Sequence, residues 1–232
     1  VSSSRSAIFA RIRHASRGAS EERIRGERDS LGKAPAAALP CEDLHIGFLA
    51  NVLLNQGSVD CATSRTEAVK AVGNFLYQHY RSHRMVAGND PRLAAMPWRD
   101  AGVLPRFGTL EPGESVALSY ARLGVAEMGA IVTFTGKVNP SANNLLPEHH
   151  IVLLDAADLV PDLEAAWAWI EAETEKSGRP RGINFIAGPS STADIEGQLV
   201  YGAHGPRGWH VILTGEVSGD CLEKARQVAG EA

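Results

Sequence analysis

Hydrophobic positions along the chain change period several times. Ser4 to Ser16 places Ile8, Phe9 and Ile12 at helical spacing, and Gly18 supplies a stop, so a short amphipathic helix is expected. From Arg17 to Pro40 the chain turns charged and then Ala/Pro-rich (GKAPAAALP), which reads as a weakly ordered connector. An apolar helical stretch, DLHIGFLANVLLNQ, then runs to Gly57; VDCAT reads as a strand, TSRTEAVKAVGNFLYQHY as a capped helix and RMVAG as the next strand. Strand, helix and strand at this spacing predict a right-handed crossover and a parallel pair. Pro91, Pro97, Pro105 and Pro112 interrupt the following region, where SVALSY is expected as an edge strand. GAIVTFTG and HHIVLLD read as buried strands. DLVPDLEAAWAWIEAETEK reads as a helix with Leu163, Trp167 and Ile170 inward and Pro161 in its first turn. INFIAG, a short helix and WHVILTG form a closing strand–helix–strand unit, and GDCLEKARQVAG is a last helix. The class is α/β, with an N-terminal helical arm and connector (1–42) before one α/β domain (43–232).

Composition keeps this picture and removes several function classes. Hydrophobic residues make up 44% and charged residues 22%, as in soluble globular chains. No apolar run approaches the ~20 residues of a membrane span. The first residues, VSSSRSAIFARIRHASRG, lack the apolar region of a secretory signal, although an organellar transit peptide would look similar; the reading is a cytoplasmic protein. Cys41, Cys61 and Cys221 form no CxxC group, so no zinc, iron–sulfur or thioredoxin framework is read, and the chain is expected to bind no redox cofactor itself. Residues 1–33 hold eight Lys/Arg against four Asp/Glu, which makes a basic arm on an acidic body. The arm mixes signs and lacks interleaved aromatics, so nucleic acid is not the expected partner.

Candidate chemistry concentrates in Ile183–Gly215. An apolar strand ends at Gly188-Pro189, a helix is expected to start within Ser190-Ser191-Thr192, and a second turn at 202–206 leads into another strand. A loop beyond a strand's carboxyl end, at a helix N-terminus, attracts anions through free N–H groups. Gly188, Pro189, Ser190, Ser191, Thr192, Asp194, Glu196 and Gly205 are therefore the candidate ligand-binding residues, for a small anion. Ser191 and Asp194 also have capping-box spacing, a purely structural reason for part of the motif. Asp194 and Glu196, two apart, do not share a helix face and are not a catalytic pair.

GPSSTADIE followed by GAHGP resembles the signature of the LUD-domain family, in its lactate-utilization protein C (YkgG-type) branch. Upstream, LGVAEMGAIVTF resembles that family's Ala-Glu-Thr-Gly-Thr segment, and LLPEHHIVLLDAADLVPDL resembles its Leu-Pro-Pro-x-His-Ile stretch. Ser191 stands where the family usually has Arg, Met128 and Ala130 replace two threonines, and Glu148 replaces a proline. The resemblance implies a Rossmann-like three-layer α/β/α fold of the glucosamine-phosphate isomerase, ribose-phosphate isomerase and CoA-transferase group. It also implies a non-redox part in oxidising L-lactate to pyruvate, beside iron–sulfur and cysteine-rich partner proteins that carry the clusters.

His149 and His150 are adjacent on a strand, so they point to opposite faces and no metal site is read there. His150 and His204 match family positions and are candidate pocket donors or general acid/bases, each also readable as a structural histidine. Glu127 precedes a buried strand. By analogy with CoA transferases it is a candidate nucleophile for a stand-alone enzyme, but fold analogy does not transfer that role, and a charge that caps the turn before Gly129 is the preferred reading. A scaffold whose arm and loops only dock partners is the remaining alternative.

Overall fold

The computed structural model describes residues 4–15, 18, 20–32, 39–195 and 198–230. The chain divides into two units, Val1–Ala37 and Ala38–Ala232. The first holds helices α1 (Ser4–Ala15) and α2 (Glu21–Ser30), neither with a buried residue. The second helix falls where a connector was expected. Ser20 caps it by accepting from the N–H of Arg23, Glu21 and Glu22 occupy its first turn, and Arg23 pairs with Glu27 at 2.7 Å. The Ala/Pro-rich part of the expected connector, residues 33–38, lies outside the described residues.

The second unit runs α3 (Leu44–Leu54), β1 (Ser58–Ala62), α4 (Arg65–Tyr80), β2 (Arg84–Ala87), α5 (Pro91–Ala94), β3 (Leu104–Phe107), β4 (Val116–Tyr120), β5 (Leu123–Val125) and β6 (Ala130–Thr135). It continues through α6 (Ser141–Leu145), β7 (His149–Asp155), β8 (Leu159–Val160), α7 (Leu163–Ser177), β9 (Gly182–Ile186), β10 (Ser191–Ile195), β11 (Gln198–Tyr201), β12 (Gly208–Thr214) and α8 (Cys221–Ala229). Six strands form an all-parallel sheet in the order β1-β12-β7-β4-β2-β3. Helices cover both faces, as parallel sheets require. Val59, Val152, Leu154, Val211 and Leu213 pack with α3 and α8, while Ile151, Leu153 and Ile212 pack with α4. This is the α/β fold read from the sequence.

Four expectations are corrected. First, β1 and β2 are parallel members of one sheet but not neighbours, since β12, β7 and β4 lie between them. Second, β4 is a central strand between β7 and β2, with Val116 to Ser119 buried; nearby prolines had made it look like an edge. Third, β6 and β9 leave the parallel sheet for a second sheet, β8-β5-β6-β9, whose β6 runs antiparallel to β5 and β9 under α7. Fourth, no helix starts at Ser190–Thr192. Ser191–Ile195 and Gln198–Tyr201 pair as two antiparallel strands, Thr192 opposite Val200 and Ser191 opposite Tyr201, because β-branched and aromatic side chains pair across them.

Asp162 is the cap of α7, so Pro161 stands just outside the helix rather than in its first turn. Ile170 and Ala166 are its buried face; Trp167, expected inward, is 49% exposed and leans on Phe185. No described helix is long and apolar enough to cross a membrane.

Candidate functional site

The predicted motif folds as a backbone-tied loop pair. Ser190 N–H donates to the Pro206 carbonyl and Gly202 N–H to the Ser190 carbonyl, both at 2.8 Å, and His204 N–H reaches Ser190 Oγ at 3.3 Å. Gly205 packs on Ser190. The loop pair lies beside Glu148 and Gly208, at the amino ends of β7 and β12; its first turn follows the carboxyl end of β9 as expected, but β9 belongs to the second sheet and no helix begins after it. A hollow of about 210 Å³ nearby includes Pro189, Ser191, Asn55 and Tyr201. Without a helix at Ser190, it has no cluster of free helix N–H groups for an anion. His204 and Ser191 are exposed, Thr192 is half-buried, Asp194 is part of β10, and Glu196 lies outside the described residues.

His150 sits in the centre of the parallel sheet with no exposed surface. Its Nε2 shares a hydrogen bond with Ser119 Oγ at 2.7 Å, its Nδ1 has no partner among the described residues, and burial holds its pKa down to about 3. His149 faces the other way, towards Tyr80, Phe75 and His79, as strand alternation requires. Glu127 lies in the tight turn at 126–128. Its Oε1 accepts from Leu163 N–H at 2.6 Å and so caps the first turn of α7. Asn51 and Asn55 of α3 hold that turn by donating to the carbonyls of Ala126, Glu127 and Met128. Among the described residues no hydrogen bond joins Glu127, His150 and His204; each is fixed by separate partners.

A second region was missed by sequence reading. Parallel α/β sheets bind ligands at their carboxyl edge. There Asp90, after β2, and Tyr120 and Arg122, at the end of β4, line a cleft of about 370 Å³ walled by Phe134 and Glu173, with Asp155, Asp158 and Thr214 nearby at the same edge. Arg92 is clamped in a fork by Asp90, with contacts of 2.8 and 3.1 Å, and lies 3.8 Å over the Tyr120 ring. Burial pushes the Asp90 carboxyl up, but the Arg92 hydrogen bonds more than reverse this and hold it below its ordinary range. Arg122 gives one Nη2 to Glu173 at 2.5 Å while lying near Phe134 and Trp169. Its remaining N–H groups have no partner within the described residues. Burial, with repulsion from Asp155, raises Asp158 above the usual carboxylate range. Burial likewise raises the Tyr120 phenol.

A larger hollow, about 700 Å³, runs along the amino ends of β2, β3 and β4, but its Arg106 is already taken by Glu114 and Glu111. Among the described residues no group of His, Cys, Asp and Glu could hold a metal ion. The cleft has one sequence-level signal, the Tyr-x-Arg pair at the end of β4; its other members come from separate segments.

Comparison with known proteins bears on the same segments. Residues 115–214 match the LUD domain. The chain is 28% identical over 157 residues to lactate utilization protein C of Exiguobacterium sp., which covers 64% of this chain and 67% of that protein. It is 36% identical over 102 residues to the Geobacillus kaustophilus protein of the same name, and there spans only 42% of the relative's length. The Halalkalibacterium halodurans protein of that name is 27% identical over 181 residues, 71% of this chain and 79% of that one. A crystal structure of a DUF162 family protein from Deinococcus radiodurans superposes with a TM-score of 0.51 at 20% identity, over 74% of this chain and 96% of that one, and shows the fold. The segment that matches the LUD domain, residues 115–214, holds β4, β7, β12 and most of the carboxyl-edge cleft.

Proposed function

We propose that this chain serves lactate utilization as a non-redox component that binds a small 2-hydroxy carboxylate in the cleft at the carboxyl edge of its parallel sheet. The supporting observation is Arg122. It is a guanidinium positioned by one carboxylate and two aromatic rings, with donors left over, inside the matched segment of a family whose relatives bear that name. A free guanidinium edge suits a carboxylate. The Tyr120 phenol, which lines the same cleft and whose proton burial holds more firmly, suits a neighbouring hydroxyl. Electrons taken from the substrate pass, in this reading, to iron–sulfur and cysteine-rich partner proteins.

An acyl-transfer reading through Glu127 has less support, since one carboxylate oxygen already binds the Leu163 N–H.

Calorimetric titration with L-lactate tests the binding half. Arg122→Gln should weaken L-lactate binding at least tenfold, about 1.4 kcal/mol; a wild-type protein that does not take up L-lactate, or a variant of equal affinity, sinks the site. Anaerobic capture from native cells tests the other half. A brown, cluster-bearing partner with lactate-dependent electron transfer is expected, and a colourless solitary chain counts against it.

A further inference from the structure

Another hollow, of about 460 Å³, is lined by Thr109 after β3, Thr135 and Lys137 at the end of β6, Ser141 at the start of α6 and Arg181 before β9. It shares no lining residue with the Arg122 cleft. The segment between β6 and α6 serves both, giving Val138 and Asn139 to the cleft and Gly136 and Lys137 to the hollow. Strand register brings its two cations to one end. β6 runs antiparallel to β9 with Thr135 opposite Gly182, so the chain leaves β6 towards Lys137 where it enters β9 from Arg181.

The walls are held from behind. Asn143, fully buried, donates to the Gly108 carbonyl and accepts from the Leu110 N–H, both at 2.8 Å, and so fixes the backbone around Thr109. Gly136 N–H donates to the Asn139 carbonyl at 3.1 Å, closing the turn that carries Lys137. Gly88 backs this turn so closely that a Cβ there would lie 2.9 Å from the Val138 carbonyl oxygen. Asn184 Nδ2 donates to Thr135 Oγ1 at 3.0 Å. Having accepted there, the Thr135 hydroxyl keeps its own proton to donate.

Among the described residues the side chains of Lys137 and Arg181 have no ion-pair or hydrogen-bond partner, and neither do the hydroxyls of Thr109 and Ser141. No Asp or Glu lines the hollow. Arg92, Arg106 and Arg122, by contrast, each meet a carboxylate. The hollow thus presents three hydroxyls and two uncompensated cations on anchored backbone.

We propose that this hollow binds a phosphate group, with Lys137 and Arg181 supplying charge and Thr109, Thr135 and Ser141 supplying hydroxyl donors. A tetrahedral dianion turns oxygens towards donors that arrive from separate segments and meets both positive charges. A monocarboxylate has two oxygens and one charge, and it would leave part of the set unmatched. The assignment uses no residue of the L-lactate reading and stands apart from it.

Calorimetric titration of the full chain with inorganic phosphate, at constant ionic strength set by sodium chloride, tests the site. Wild type should show saturable binding at one site. Lys137→Ala and Arg181→Ala should each weaken it at least fivefold, while Lys70→Ala, which removes an exposed cation of α4, and Arg122→Gln should leave it within twofold. Glycerol 3-phosphate in place of inorganic phosphate separates the two sources. Tighter binding of the ester makes the occupant a phosphorylated metabolite, tighter binding of the ion makes it free phosphate, and either supports the site. Wild type without saturable uptake of either probe would overturn the proposal. So would an equal loss in Lys70→Ala, which would mean diffuse charge attraction, or a loss confined to Arg122→Gln, which would put the phosphate in the other cleft. The Arg122→Gln titrations with phosphate and with L-lactate fail independently, so each reading is judged on its own.

Discussion

Between pH 7 and pH 5 the wild-type protein should lose about 2 kcal/mol more folding stability than a His150→Gln variant. The argument begins with the place of His150 in the sheet. It is fully buried between β4 and β12, with one ring nitrogen bonded to Ser119 and the other without a partner. An imidazolium there would have to keep an N–H donor unsatisfied in an apolar surrounding, so burial takes the folded pKa from 6.5 down to about 3. The unfolded chain has no such restriction and binds the proton near pH 6.5. Between those two values the unfolded state therefore holds more protons than the folded one, and stability rises with pH. This contribution is fully present above pH 6.5 and drains away at about 1.4 kcal/mol per pH unit as the pH falls towards 3.

Glutamine keeps a polar head for Ser119 but carries no titrating group, so its replacement removes this slope. His149, whose pKa burial and His79 also lower, adds a slope of the same sign that both proteins share. Urea denaturation of both proteins at pH 7 and pH 5 reads the difference directly, whatever the variant's absolute stability. Parallel losses would show that His150 is protonated in the folded protein and can exchange its proton, as a general acid/base must.

The period of the hydrophobic pattern was enough to find α1, α3, α4, α7, α8 and seven of the strands, because each buries one stripe or both faces. It could not assign strands to sheets. AIVTFT of β6 and HHIVLLD of β7 look alike as apolar runs, yet one is antiparallel in the second sheet and the other is the middle of the parallel one. Ser191 and Asp194 satisfied the spacing of a helix cap, while the competing signal, Thr192 against Val200, only exists once the chain has turned back on itself. Trp167 was placed inward by its spacing from Leu163 and Ile170, but Ala166 and Ile170, four apart, define the buried stripe of α7. The carboxyl-edge cleft was invisible for the same reason. Arg92 finds Tyr120 and Arg122 finds Glu173 through the crossing of strands, not through spacing along the chain.

Gly188 was read as part of a ligand site, and the structure gives it, together with Gly129 of the upstream segment, a packing task. Both pack against the backbone of α3. Gly129 has φ +57°, and a Cβ there would lie 2.5 Å from the Asn51 carbonyl carbon and 2.6 Å from the Val52 nitrogen. Gly188 has φ +96°, and its Cβ would lie 2.4 Å from the Asn55 carbonyl oxygen. A main-chain atom of a helix cannot rotate aside as a side-chain tip can. The Asn51 and Asn55 amides, bonded to the carbonyls of residues 126–128, fix the distance from the other direction. Left-handed strain of about 1–3 kcal/mol and overpacking of similar size act together. Gly129→Ala and Gly188→Ala should therefore each cost roughly 2–4 kcal/mol. Gly136→Ala, which would meet no atom within 4 Å, should stay within about 0.5 kcal/mol of wild type. Urea midpoints at constant m-value measure all three. Should Gly188→Ala prove as stable as Gly136→Ala and yet bind L-lactate less well, the close approach to α3 would not be the reason for glycine, and the loop pair rather than the carboxyl-edge cleft would become the site to pursue.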